Sequence, residues 1–379
     1  MNQLESAYSP GLEGINAGIT SICTVLPDGS SLTYRGYDIQ DLAAKCSFEE
    51  VAYLLLHGEL PTPNQMVAMQ QTLVKARRLP DEVMNLLRSF PRGVNTMDAL
   101  KAGVAVLALS DPDASDNSTE ANFRKATRLI AQIPTLVAAL HRLDLGLEPV
   151  SPLGMDASHA ENFLTMLLGE KPGPVVAKLF DATLSIYAEH GFNASTFAGR
   201  VIVSTLSDMH SGVLGAIGAL KGPLHGGANE QAILMLQAIG SLDNVDPWLE
   251  DALANKKTIM GFGHRAYKQG DPRARLLTRM RDDLIKELNS DAPWPAMADR
   301  LADRLLEAKN LHPNVDYPIG YMYYMMGIPT RVYTPIFAIG RIAGWTAHII
   351  EQLAANRLIR PNAVYTGPEA RPLLPLSQR

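Results

Sequence analysis

The chain has 379 residues, with 34 Lys plus Arg against 39 Asp plus Glu, a formal net charge of −5. That acidic balance argues against a partner held by bulk phosphate neutralisation, so no nucleic acid is expected. Hydrophobic residues make up 46% and charged residues 19%, which excludes a disordered chain and allows a large buried core, in about two domains at this length.

In chain order, a short N-terminal region reads as two strands, 14–25 and 31–34, and beyond it the apolar spacing is helical almost to the end. Helices are predicted over 49–56, 64–79, 97–110, 122–145 with a kink at Pro134, 173–190, 196–208 and 210–220. Four more follow at 228–240, 272–288, 293–311 and 335–353. Segment 111–120 is polar and acidic without periodicity and reads as a surface loop. The fold class is therefore mainly α. Small apolar residues dominate before Gly222 and charged ones from Pro247 to Lys309, after which 335–353 regains buried character. This predicts a large helical domain of residues 1–222 and 326–379 and a smaller one of 223–325.

Cys23 and Cys46 are too few for a disulfide framework and are not at metal-ligand spacing, so a reducing compartment is expected. No targeting pattern opens the sequence and no run reaches the ~18 apolar residues of a membrane span. A cytoplasmic protein is expected, with no membrane association.

Two of the nine histidines stand out by context. His225 lies in Gly222-Pro223-Leu224-His225-Gly226-Gly227-Ala228, a glycine-rich turn entering a helix. Such a turn admits close backbone approach, and the positive helix end disfavours an imidazolium, leaving a neutral ring able to donate to a developing oxyanion. Taken alone, a turn-stabilising histidine is the simpler explanation. His264 sits in a second turn, Gly261-Phe262-Gly263-His264-Arg265-Ala266-Tyr267-Lys268, whose basic residues suit an anionic ligand without forming a P-loop.

Asp271-Pro272-Arg273 reads as an N-cap, a proline at the first helical position and an arginine at the second. A cation there opposes the helix dipole, so either it serves an anion or it is solvated. Arg341 interrupts the apolar run 336–345 and needs a carboxylate or phosphate partner if buried, supplied by a ligand or by an internal salt bridge. Gly340 and Gly344, four apart, allow another element to approach closely. Asp316 sits near a helix start, where capping is the default role. No metal-binding motif and no Gly-x-Ser-x-Gly nucleophile turn occurs.

Taken together these segments resemble the citrate synthase family, including the 2-methylcitrate synthases. The resemblance runs from Pro10-Gly11-Leu12-Glu13-Gly14 and Tyr34-Arg35-Gly36-Tyr37-Asp38 through Glu189-His190-Gly191-Phe192-Asn193-Ala194-Ser195-Thr196-Phe197. It continues through the two histidine turns and Asn314-Val315-Asp316 to Gly344-Trp345-Thr346-Ala347-His348-Ile349-Ile350-Glu351-Gln352 and Tyr365-Thr366-Gly367-Pro368. It implies a large and a small helical domain with the active site in the cleft between them.

The resemblance implies a catalytic trio of His225, His264 and Asp316, with Asp316 as base, His225 as donor to the enolate oxygen and His264 acting on the ketone of oxaloacetate. It places His190, Arg273, Arg341 and Arg360 on oxaloacetate, Arg360 reaching the partner's site in a homodimer. The CoA adenine is implied along Ile259, Met260, Gly261, Phe262 and Gly263, with Lys268 near its phosphates. No cofactor and no metal is implied, because acyl-CoA is a substrate. Two departures adjoin the site: Tyr317-Pro318-Ile319 after the base, and Gly191 where Glu is common. The expected function is citrate synthesis from acetyl-CoA and oxaloacetate. 2-Methylcitrate synthesis from propionyl-CoA is the alternative, and an inactive acyl-CoA-binding or assembly paralogue a lesser one.

Overall fold

The computed structural model describes residues 8–26, 28–264, 267 and 269–379. Among them three short strands form an antiparallel sheet: β1 (Cys23–Val25), β2 (Leu32–Tyr34) and β3 (Tyr37–Asp38), with Cys23 opposite Tyr34 and Thr33 opposite Asp38. The strand expected over 14–25 is thus only three residues long, since residues 11–20 are exposed and find no pairing partner. Everything else regular is helical.

The first half runs α1 (Ile39–Lys45), α2 (Phe48–His57), α3 (Pro63–Ala76), α4 (Asp81–Ser89), α5 (Thr96–Ser110), α6 (Thr119–Asp144), α7 (His159–Leu168) and α8 (Pro174–Tyr187). The second half runs α9 (Ala194–Val203), α10 (Met209–Leu220), α11 (Ala228–Ile239), α12 (Val245–Ala254), α13 (Pro272–Leu288), α14 (Trp294–Lys309), α15 (Asp316–Met325) and α16 (Tyr333–Ala354). Their starts follow side-chain chemistry. Ser47, Thr62 and Ser158 form capping boxes with Glu50, Gln65 and Glu161, and Asp271 caps α13 ahead of Pro272 as expected.

α6 carries Pro134 within a single 26-residue helix. The 111–118 loop is less loose than its composition suggests. Asp111 and Asp113 both pair with Arg128 at 2.6 Å, and the Asp111 carboxyl is almost fully buried. Helix α8 stops at Tyr187 rather than at residue 190. Its last carbonyls are met by side chains instead of another turn: Arg341 Nε donates to Tyr187 O at 2.5 Å, and the Tyr34 hydroxyl lies 3.2 Å from Ser185 O and 3.0 Å from Ile186 O. Glu189 and His190 therefore sit on a turn beyond the helix end.

α16 is the spine of the fold, buried along most of its length and packed on α2, α6, α8, α9 and α10. Gly340 and Gly344 bring it onto the end of α8. A Cβ on Gly340 would lie 2.8 Å from Leu184 O, and one on Gly344 2.2 Å from Ala188 O, so any side chain there would push the two helices apart. α11 and α15 pack side by side, which brings the turn before α11 and the start of α15 to the same end of the molecule.

Candidate active site

His225 precedes α11 and its ring is tied on one side. Ser195 N–H donates to His225 Nε2 at 3.2 Å, and Ser195 Oγ lies 2.8 Å from the same nitrogen. In the tautomer in which Nε2 accepts the Ser195 N–H, the ring proton is on Nδ1. Burial, then the charge of Arg341, pushes the His225 pKa down to about 4, which keeps the ring neutral. Ser195 is fixed in turn by Asn193 Oδ1 at 2.8 Å and by Trp345 Nε1 at 3.1 Å.

Asp316 is the first residue of α15 rather than its cap. Its own N–H donates to Asn314 Oδ1 at 3.1 Å and the N-cap position is Val315, so Asp316 does not take the capping role open to it from sequence. The Tyr187 hydroxyl donates to Asp316 Oδ1 at 3.2 Å and accepts from Asn229 Nδ2 at 3.0 Å. Burial pushes the Asp316 pKa up to about 6, against the lowering effects of Arg273 and of the Tyr187 hydrogen bond. A carboxylate poised there can take and return a proton near neutral pH.

The glycine-rich turn carrying His264 is fastened to the turn before Asp316. Gly263 N donates to His312 O at 2.8 Å, Asn314 N to Gly261 O at 2.9 Å, and Asn314 Nδ2 to Gly263 O at 3.0 Å. Gly261 has φ +84 and the Tyr317 side chain presses on it, so no other residue fits there. Tyr317 also packs on Phe262, with ring centroids 4.4 Å apart, and donates to Ala298 O at 3.0 Å. Its departure from the family pattern thus supports the turn. Ile259, Met260 and Phe262 are half-buried along this turn, whereas Lys268 lies outside the described residues.

The ring of His264 lies 5.3 Å from that of His190 and 4.4 Å from that of Tyr267. His190 Nε2 is 3.1 Å from the Tyr267 hydroxyl, and burial, then Arg273, holds the His190 pKa well below the usual value. Arg273 is buried and forked onto Asp271, with Nε to Oδ1 at 2.9 Å and Nη2 to Oδ2 at 2.8 Å, so it is not a solvated arginine. Asp271 Oδ2 also accepts from Val315 N at 3.1 Å, tying this arginine to the residue before Asp316.

Arg341 is also buried, spending Nε on Tyr187 O and lying 4.8 Å over Phe337. Burial pulls its pKa down and Glu189 is the strongest opposing influence. Beside His190 a cavity of about 690 Å³ opens between residues 11–25 and Phe192 and Phe197.

Arg360 is not part of this cluster. It is exposed in the C-terminal segment, next to Ile359, whose N–H donates to Ser204 Oγ. Ser204 follows α9 at the end opposite Ser195, about 14 Å away along the helix axis. Tyr187, Asn229 and Tyr267 belong to the cluster and went unassigned at the level of sequence. Tyr267 lies inside the His264 turn and Asn229 directly after the His225 turn, as the second residue of α11, but Tyr187 is marked only as the last residue of an apolar helix.

Residues 11–362 match the family model described as citrate synthase, C-terminal domain. The chain is 46% identical to citrate synthase 2 of Bacillus subtilis, over 97% of this chain and 98% of that protein. It is 45% identical to the 2-methylcitrate synthase of Mycobacterium tuberculosis, over 96% and 91%. Among solved structures, citrate synthase from Pyrobaculum aerophilum superposes with a TM-score of 0.91 at 38% identity, covering 98% of this chain and 95% of that one. Citrate synthase from Thermoplasma acidophilum, solved as a ternary complex with carboxymethyl coenzyme A and oxaloacetate, gives 0.90 at 36% identity over 98% and 99%.

Proposed function

Because the chain belongs to the citrate synthase family, we propose that it condenses acetyl-CoA with oxaloacetate and water to give citrate and free CoA, in the cleft between residues 1–222 with 326–379 and residues 223–325. Asp316 takes a proton from the carbon beside the thioester carbonyl, while His225 Nδ1–H donates to the oxygen on which the negative charge collects. The enol carbon attacks the ketone carbon of oxaloacetate, and His264 delivers a proton to the ketone oxygen. Water then cleaves the new thioester, releasing CoA as the thiol. His190, Arg273 and Arg341 hold the substrate carboxylates. In a homodimer Arg360 comes from the partner subunit, in keeping with its exposed position away from this chain's own cluster. CoA lies along Ile259 to Gly263, with Lys268 at its phosphates. Each step uses side chains and water alone, with no cofactor.

The observation that carries this reading is the pairing of a neutral His225, held at Nε2 by Ser195, with a carboxyl raised to about 6. A weak carbon acid is enolised only when base and oxyanion donor act together. Propionyl-CoA is the second acyl donor, supported by the 45% identity to a 2-methylcitrate synthase. One extra methylene is worth only ~1–3 kcal/mol of discrimination, so both donors react at measurable rates.

The test is CoA release with oxaloacetate and either acyl-CoA. Wild type is expected to release CoA and Asp316→Asn to lose at least about a thousandfold in kcat, with the ratio of kcat/KM values ranking the two donors. Acyl-CoA binding without release by the wild type would sink the reading in favour of an inactive binding protein.

A further inference from the structure

Next to His190, a charged network with no part in the reaction above runs from the site to the N-terminal segment. Glu189 is wholly buried, and its Oε1 accepts the Gly191 N–H at 2.5 Å and a hydrogen bond from His348 Nε2 at 2.9 Å. The direction of the second bond follows from the far side of the ring. Arg200 Nη1 lies 3.0 Å from His348 Nδ1, and a guanidinium only donates, so Nδ1 accepts and the proton is on Nε2.

Arg200 Nη1 also reaches His348 O at 3.2 Å and Glu351 Oε2 at 2.8 Å, with its guanidinium 4.4 Å over Phe192. Glu351 Oε1 in turn accepts from Ser21 N at 2.8 Å. A single chain of charge-assisted bonds thus links Ser21, Glu351, Arg200, His348 and Glu189 to the peptide that follows His190.

Burying this chain is costly unless it fixes something, because a desolvated carboxylate is tolerated only with good partners. Glu189 Oε2 has no hydrogen-bond partner among the described residues and is packed so tightly that a Cβ on Gly344 would lie 2.2 Å from it. What the carboxylate does hold is the Gly191 amide, and with it the turn that presents His190 to Tyr267 and His264. A misplacement of about 1 Å in a substrate-positioning group is enough to cost roughly a hundredfold in rate.

We propose that Glu189 and His348, steadied by Arg200, are positioning residues for the oxaloacetate half of the site, acting through the His190–Gly191 turn and touching neither substrate. This rests on the condensation reading above. What matters in it is an acceptor at Glu189 and a ring or amide at position 348 that accepts from Arg200 while donating to Glu189. A glutamine can do both, and a leucine neither.

The experiment measures steady-state CoA release, varying each substrate separately, for wild type, His348→Leu, His348→Gln and Glu189→Gln, with thermal unfolding as a check on folding. The expected result is an oxaloacetate KM at least tenfold higher in His348→Leu, an acyl-CoA KM within about twofold of wild type, and both glutamine variants within about threefold of wild type for either substrate. Should His348→Leu fail to fold, Arg200→Met cuts only the outer link, and its oxaloacetate KM is expected to rise threefold or more with the acyl-CoA KM unchanged.

Equal rises in both KM values, an unchanged oxaloacetate KM in the severed variants, or glutamine variants as poor as leucine would overturn the proposal. Failure of wild type itself to release CoA would instead strike the condensation reading. The two failures are therefore separable.

Discussion

Replacing Tyr187 by Phe isolates the control of the base. The ring keeps its packing on Phe337, with centroids 4.0 Å apart, and only the hydroxyl that donates to Asp316 is lost. That bond favours the ionised carboxylate, and Asn229 reinforces it by donating to the phenol oxygen, so that the phenolic hydrogen is directed at Asp316. A hydrogen bond to a charged group is worth about 1.5 kcal/mol, or roughly one pKa unit. The Asp316 pKa, already raised by burial to about 6, should therefore rise by about one unit more.

A base must be deprotonated to act, so the sign of the rate effect is fixed. The acid limb of kcat/KM for the acyl-CoA, with oxaloacetate saturating, moves to higher pH by about one unit in Tyr187→Phe. At pH 6 the ionised fraction falls from about one half to about one tenth, a loss of about fivefold, while at pH 8 protonation alone costs only about a tenth of the rate. Asn229→Leu removes the reinforcing donor and should shift the limb the same way by less than about half a unit. An acid limb that stays in place, or moves to lower pH, would show that Tyr187 does not stabilise the ionised base.

Other consequences are equally open to measurement. If Arg360 completes the partner's site, mixing and re-dimerising Arg360→Ala with Asp316→Asn places one intact site in each heterodimer, so about a quarter of wild-type activity returns; a mixture no more active than its components would return Arg360 to its own chain. The Glu287 carboxylate accepts from Val175 N and Val176 N, both at 2.9 Å, and so caps α8 from α13. Glu287→Ala should cost about 0.5–2 kcal/mol in urea unfolding, and an unchanged midpoint would refute the cap.

His159 is buried, and desolvation, then Arg77, pushes its pKa down to about 3. The unfolded chain binds a proton below about pH 6.5 that the fold refuses, so stability falls as pH drops from 6.5 toward 3, by up to about 1.4 kcal/mol per pH unit. Asp316, raised in the fold, works the other way and loses stability as pH rises from about 3.8 to 6. His159→Leu should flatten the decline in urea midpoint between pH 6.5 and 5, and an unaltered slope would rule out His159 as its source.

Much of this was legible in the sequence where local chemistry decides. The long amphipathic helices, the proline and glycine boundaries, and the glycine-rich turns around His225 and His264 all follow from neighbours within a few residues. Five helices were not anticipated, namely α1, α4, α7, α12 and α15, each ten residues or fewer. Two to three turns give little periodicity to detect. α15 also carries Pro318, Gly320 and four tyrosines, and owes its helicity to packing on α11 rather than to propensity. α7 is different, since Ser158 and Glu161 form a capping box readable in the sequence before its apolar run.

The pairings inside the site were illegible for a physical reason. Tyr187 meets Asp316 across 129 residues, and Glu189 meets His348 across 159. No periodicity links such positions; what joins them is the approach of helices. The sequence did mark where the approach occurs, in the spacing of Gly340 and Gly344. These two residues set α16 against the end of α8, and from that one contact several functions follow. Arg341, between the two glycines, ends α8 by taking the Tyr187 carbonyl. Ending the helix there frees Glu189 and His190 to form a turn, leaves the Tyr187 hydroxyl to Asp316, and puts His348, one helical turn beyond Gly344, against Glu189. Had α8 continued to residue 190 as its apolar pattern suggests, 187 and 190 would lie on one helical face and could not serve the base and the ring of Tyr267 from separate elements. The early end of α8 is thus the structural event on which the geometry of the base and of His190 both depend.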